Sequence, residues 1–306
     1  MAADSTPQRP FGRMLTAMVT PFTRDGTLDL GAAGALATEL VDMGCDGLVI
    51  NGTTGESPTT SDDEKERLVR AVVEAVGHRA HVVAGVGTND TRHTIECART
   101  AEKAGAAGLL VVTPYYNKPP QDGLLAHFRA VADATALPVL LYDIPGRTGV
   151  AIETETLLRL AEHPQIVANK DAKGDLFKAQ QVMSRCELVY YSGDDALNLP
   201  LLAVGAVGAV SVTGHLVADR IAAMIRAYES GDVELARELN DELVPVTEAI
   251  MTRTQGVIAV KAALELQGRP GGGALRLPLL AMPAADREAL EQSLADGGVD
   301  GFDFLA

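Results

Sequence analysis

A chain of 306 residues, 47% hydrophobic and 22% charged, is long enough for one large α/β barrel or two ordinary domains and can bury a real core. Its formal net charge of −15 argues against binding nucleic acid or an anionic membrane. An anionic substrate must therefore be held by a local basic or amide-rich pocket. The longest apolar run is too short to span a bilayer, and the start, Met-Ala-Ala-Asp-Ser-Thr-Pro-Gln-Arg-Pro, lacks an apolar signal region; it reads as the frayed terminus of a cytoplasmic protein. Cys45, Cys97 and Cys186 are widely separated, with neither metal spacing nor an even-numbered framework, and read as reduced core thiols.

Taken in chain order, short apolar runs at 15–19, 47–51, 81–86, 108–113, 138–144, 166–170, 188–192 and 209–213 are predicted as parallel strands buried on both faces. Helical patterns lie between them. Ser61-Asp-Asp-Glu64 forms a capping box ahead of one helix, and Asn89-Asp90-Thr91 opens another that runs to Ala104 and stops at Gly105. Gln121-Asp122 and Glu153-Thr154 open the next two, while Asp175, Asp195 and Ala218-Asp219 begin three more. Strands and helices alternating every 25–35 residues or so predict a (β/α)8 barrel over 1–229. A doubly wound sheet is the competing architecture; no Gly-x-Gly-x-x-Gly turn follows the first strand. Beyond about 230 the pattern is purely helical, at 233–249, 253–267 and 284–295, and predicts a helical extension over 230–306 too small for a second core.

Lys170, inside Ile166-Val-Ala-Asn-Lys170-Asp, is an unusual residue for a strand. Desolvation lowers an amine's pKa and leaves a neutral nucleophile suited to Schiff-base chemistry on a carbonyl, although a strand-end lysine can also extend its ammonium into water. Barrel chemistry sits at the carboxyl ends of the strands, so those ends test the idea. They carry Gly52-Thr53-Thr54-Gly-Glu56, whose hydroxyls and amides suit a small carboxylate, and Tyr115-Tyr116. They also carry Tyr142 with Arg147 a short loop away, Lys170, and Ser192-Gly193-Asp-Asp195. Each feature has an ordinary explanation as turn, rim or surface pair. Together, an amine, phenols, hydroxyls and an arginine on one face predict an aldolase-type site. Lys173, the nearest rival nucleophile, is predicted in an exposed loop, where it would stay protonated.

These segments, with Val112-Thr-Pro-Tyr-Tyr-Asn117, Tyr142-Asp-Ile-Pro-Gly-Arg147-Thr-Gly and Lys170-Asp-Ala, resemble the dihydrodipicolinate synthase family over residues 11–278 or so. That family is the lysine-pathway branch of the pyruvate-dependent class I aldolases, which include N-acetylneuraminate lyase. The resemblance implies a lyase that condenses pyruvate with L-aspartate 4-semialdehyde, with no metal or redox cofactor. It implies a Schiff base on Lys170 and a proton relay of Tyr142, Thr53 and Tyr116, the last inserted from a neighbouring subunit of a homotetramer built of tight dimers. It further implies that Thr54 binds the pyruvate carboxylate, that Val210 lines the pyruvate pocket by its backbone, that Gly193 shapes the floor, and that Arg147 holds the aldehyde's carboxylate. Two alternatives stand beside this: a sialic-acid or sugar-acid lyase of the same superfamily, and a non-catalytic paralogue that binds pyruvate.

One region departs from the family pattern. Relatives inhibited by L-lysine use a cleft whose matching positions here include Ser57, Asp62, Lys65, Asn89, His93 and Tyr115. Asp62 and Lys65 stand where sensitive bacterial enzymes carry histidines, and His93 replaces a glutamate that binds the inhibitor's amine. A cationic Lys65 disfavours a cationic effector, so insensitivity to L-lysine is expected. Asn169, beside the key lysine, is more polar than its strand suggests.

Overall fold

A computed structural model describes residues 9–302; most of the amino-terminal head read as frayed lies outside the described residues. Eight parallel strands close into a barrel: β1 (Met14–Ala17), β2 (Gly47–Ile50), β3 (His81–Gly85), β4 (Gly108–Val112), β5 (Val139–Asp143), β6 (Ile166–Asp171), β7 (Val189–Ser192) and β8 (Gly208–Ser211). Every strand pairs with its sequence neighbours, and β1 pairs with β8. All eight predicted strands are present, within a residue or two at each end.

Two layers of apolar side chains hold the barrel. An inner cluster, including Leu15, Val49, Val83, Leu110, Leu140 and Ala168, fills its interior. A larger outer cluster lies between the strands and the surrounding helices, and continues into the carboxyl-terminal helices Val233–Met251, Gly256–Leu266 and Ala284–Asp296. Helix starts follow local capping. Ser61 and Glu64 form the reciprocal box ahead of Asp62–Val76, and the Asp90 and Asp175 side chains accept backbone N–H groups at the starts of Thr91–Lys103 and Leu176–Met183.

Two barrel-helix starts differ from expectation, and the extension helix predicted from 253 begins at Gly256. Asp195 opens a 3₁₀ turn, Asp195–Leu197, and the α-helix begins at Asn198, because the Asp195 carboxylate is engaged with the end of the adjacent strand β8. The last barrel helix starts at Gly214, not Ala218, with a kink at Val217 (φ −140°, ψ 34°) that hides its first turn from a periodicity count. Of the three cysteines, all free, only Cys45 is fully buried; Cys97 and Cys186 are half-buried.

Candidate active site

Lys170 points into the barrel because β6 is irregular. Val139 pairs with Ile166, but Leu140 pairs with Ala168, so β6 carries one extra residue against β5. Ile166 faces the outer core, whereas Ala168 faces the barrel interior. Strict alternation from Ile166 would send Lys170 outward; the extra residue reverses the phase. Lys170 is thereby 4% exposed, with its Nζ 4.2 Å from the centre of the Tyr142 ring, its register partner on β5. Burial pushes the Lys170 amine down to about 8, helped by the Arg147 guanidinium and opposed by the Asp195 carboxylate. Burial pushes the Tyr142 phenol up to about 12, against the Arg147 charge and a hydrogen bond with Thr53. At neutral pH the pair is a hydroxyl that can give and take a proton beside an amine unusually close to its neutral form.

An inner cavity of about 70 Å³ brings together Thr53, Thr54, Tyr142, Arg147, Lys170 and Gly193. An outer cavity of about 390 Å³ shares Thr53, Tyr142 and Arg147 with it and extends to Tyr115 and Tyr116. Seven of the eight predicted site residues thus border a pair of cavities that share lining residues at the carboxyl ends of the strands. Tyr116 joins them only from the rim, 89% exposed and with φ of 73°. Val210 packs its side chain inside the barrel, and it is Val212, two residues on, that lines the inner cavity.

The mouth loops are strained and braced. The four described non-glycine residues with positive φ, Asn51, Glu56, Tyr116 and Lys118, all follow β2 or β4. Around the Thr53–Thr54 turn, Thr20 Oγ1 donates to Gly55 O at 2.6 Å. The buried Glu56 carboxylate accepts from Lys261 Nζ at 2.5 Å and from the Arg276 backbone N–H at 3.0 Å. Asp195 accepts from Ser211 Oγ and from the backbone N–H groups of Val212 and Thr213, which ties the end of β7 to the end of β8. Both braces join residues distant in the chain, without a local signature. Lys261, a lone lysine in the apolar run Gly256-Val-Ile-Ala-Val-Lys-Ala-Ala-Leu, carried the same signal as Lys170.

Lys173 corrects the sequence reading. It is not an exposed loop amine: its side chain is largely buried, its Nζ 2.9 Å from Asp143 Oδ2, and it also donates to Ile152 O. Tied to a buried carboxylate and a carbonyl, and lining neither cavity, Lys173 is excluded as the nucleophile by its place and contacts. Asn169 lies on the outer face of β6 beside Tyr190, and neither side chain has a hydrogen-bond partner among the described residues.

Gly193 has a steric reason to be glycine. A Cβ there would lie 2.8 Å from Lys170 Cγ and 2.9 Å from Cε. Gly193→Ala is therefore expected to displace the lysine stem and slow reaction of the Lys170 amine with a carbonyl compound roughly 10-fold or more, since a small misplacement of a reacting group is costly. Borohydride trapping rates measure this; an unchanged rate would show that the stem yields freely.

Among the described residues one group of metal-ligating side chains comes together: Asp62, His93 and Cys97, with ligand atoms within 4.8 Å of one another. Asp62 is already engaged there by His93 Nε2 at 2.8 Å and by the Lys65 ammonium at 3.6 Å, and the group borders neither cavity of the mouth.

The same barrel recurs among known proteins. Residues 10–296 match the model of the "Dihydrodipicolinate synthetase family". A protein of Streptomyces coelicolor named 4-hydroxy-tetrahydrodipicolinate synthase 2 is 66% identical over 98% of this chain and 99% of its own. The solved dihydrodipicolinate synthase of Cyanidioschyzon merolae, with lysine bound, superposes with a TM-score of 0.92 at 42% identity, covering 95% of this chain and 99% of that one. A structure described as the first monomeric dihydrodipicolinate synthase variant gives 0.91 at 37% identity, over 95% and 98% of the two chains. Likeness on this scale spans the barrel, the mouth loops and most of the carboxyl-terminal helices alike, and it establishes that the chain belongs to the dihydrodipicolinate synthetase family.

Proposed function

We propose that this chain is a 4-hydroxy-tetrahydrodipicolinate synthase, condensing pyruvate with L-aspartate 4-semialdehyde through a Schiff base on Lys170. The observation that carries the reading is an amine buried against the Tyr142 ring, at a mouth that also offers two threonine hydroxyls and the Arg147 fork. The neutral Lys170 amine attacks the pyruvate carbonyl, and water leaves as the imine forms. Loss of a methyl proton, relayed by Tyr142 through Thr53 and Tyr116, gives an enamine. The enamine carbon bonds to the aldehyde carbon, whose oxygen takes up a proton. The substrate's own amino group then attacks the imine carbon, closing the ring and expelling Lys170.

Thr54 holds the pyruvate carboxylate in this reading, Val210 contributes its backbone to the pyruvate pocket, and Gly193 leaves room for the lysine. Arg147, which borders both cavities, suits a carboxylate by its bidentate geometry and favours the semialdehyde over a polyhydroxylated chain. The exposed, strained Tyr116 supports an assembly in which the tyrosine completes a neighbouring subunit's relay within a homotetramer of tight dimers. Residues 1–229 then form the catalytic barrel and 230–306 a helical extension, and the chain works in the cytoplasm; no described helix is long and apolar enough to cross a membrane. Turnover of pyruvate with L-aspartate 4-semialdehyde, coupled to the reductase that consumes the product, tests the reading. A trapped adduct on Lys170 without turnover would keep the aldolase and reject the aldehyde.

L-Lysine is expected to leave the rate unchanged. Lys65 Nζ is anchored by Thr60 O at 2.9 Å and by Asp62, so a fixed cation sits in the cleft where sensitive relatives receive a cationic effector. An inhibition constant in the submillimolar range would refute this.

A further inference from the structure

We infer that Gln255 is the residue that recognises the α-ammonium group of the aldehyde substrate, and so sets the preference for an amino-aldehyde over an amine-free one. The inference rests on the reaction proposed above. Gln255 stands at the N-cap of the helix Gly256–Leu266, yet its side chain does not cap that helix. Its Oε1 is buried and has no hydrogen-bond partner among the described residues. Gln255 lines the inner cavity with Lys170 and the outer cavity with Tyr116, as only Thr53, Tyr142, Ile144 and Arg147 also do.

The electrostatics of the mouth explain why such an acceptor matters. No aspartate or glutamate lines either cavity, whereas Arg147 and Lys170 both bring positive charge. A substrate that carries a carboxylate and an ammonium can give the carboxylate to Arg147, but its ammonium finds no carboxylate and must be met by neutral acceptors. A buried amide oxygen left unpaired is costly until a donor arrives, and a charged donor repays it best. Asn51 Oδ1 is likewise buried and unpaired, but Asn51 reaches only the outer cavity and not the one that holds the nucleophile. Gln255 therefore has the position from which to meet an ammonium group three bonds from the aldehyde carbon while that carbon approaches Lys170-bound pyruvate.

The test compares L-aspartate 4-semialdehyde as substrate with succinate 4-semialdehyde, which keeps the aldehyde and carboxylate but lacks the amine, as a competitor. Gln255→Leu is expected to raise KM for the amino-aldehyde roughly 10- to 100-fold, the range for losing a hydrogen bond to a charged group. The inhibition constant of the amine-free analogue and the KM for pyruvate should stay within about twofold of wild type, by the same argument. Gln255→Glu, which keeps an acceptor, should retain the preference. Equal losses for both aldehydes would reduce Gln255 to a packing role, and no loss for either would remove it from the site; each outcome overturns the inference. If the wild-type enzyme itself fails to turn over L-aspartate 4-semialdehyde, the reaction assigned above fails first, and that failure is seen before any variant is made.

Discussion

Lys170→Met is expected to abolish turnover while making the folded protein more stable. The first effect follows from the chemistry: methionine keeps the stem but has no amine, so no borohydride-trappable adduct forms and the rate falls on the order of 10⁴-fold or more. The second follows from burial. The amine sits at about 8 in the folded chain against 10.5 for a free lysine, because it has lost its water. The unfolded chain therefore binds a proton that the folded chain resists between these values, and stability rises with pH across that window. Below about 8 the full penalty is present, corresponding to about 3 kcal/mol. Methionine removes it, so the gain should be largest at neutral pH and vanish towards pH 10.5. Urea unfolding at fixed protein concentration, at pH 7 and pH 10, reads the effect; a variant less stable than wild type at pH 7 would mean that the amine is not under desolvation strain. The same titration governs the wild-type rate. Adduct formation should rise about tenfold per pH unit below 8 and level off above it, as the neutral amine becomes the main form.

That a lysine so costly persists in the core makes sense only if it is used, and this was also why it could be found from the chain alone. The strands were equally legible, since buried parallel strands are short uninterrupted apolar runs. What escaped were features made by residues far apart in sequence. The extra residue in β6 aims Lys170, yet no local signal separates Ile166-Val-Ala-Asn-Lys from a regular strand; the bulge exists only relative to β5. Lys173 reads as a loop amine until Asp143, thirty positions earlier, is placed against it. Asp195 reads as a helix start because aspartates commonly are, but its carboxylate is captured by the β8 loop sixteen to eighteen residues later. In each case the local pattern was a fair guide to the backbone and a poor one to the partner. Gln255 was invisible for a related reason: an uncapped glutamine has no sequence signature, and its significance lies in the partner it lacks.

The buried ion pair Glu56–Lys261 carries the second large expected effect, because it couples the carboxyl-terminal helices to the Thr53–Thr54 turn, the proposed seat of the pyruvate carboxylate. Lys261 is wholly buried, its Nζ donating to Glu56 Oε1 and to Ala274 O and lying 4.4 Å from the Phe22 ring centre. The Arg276 guanidinium stacks on the same ring, 4.2 Å from its centre, while the Arg276 N–H holds the other Glu56 oxygen. Burial pulls the Lys261 amine down and the Glu56 charge opposes it, so the pair stands or falls together. Lys261→Met leaves a carboxylate buried with a single backbone donor, and should cost about 3–5 kcal/mol. Adding Glu56→Gln removes the stranded charge, so the double variant should recover most of that loss. Function should follow a different course. Both variants lack the charged brace that holds the left-handed Glu56 and, two and three residues before it, Thr54 and Thr53. The KM for pyruvate should therefore remain raised in the double variant even where stability has returned. Urea midpoints and pyruvate saturation curves on the two variants separate the effects. Equal stability of single and double variants would deny that a stranded charge is the cost, and a wild-type KM in the double variant would deny that the brace positions the threonines.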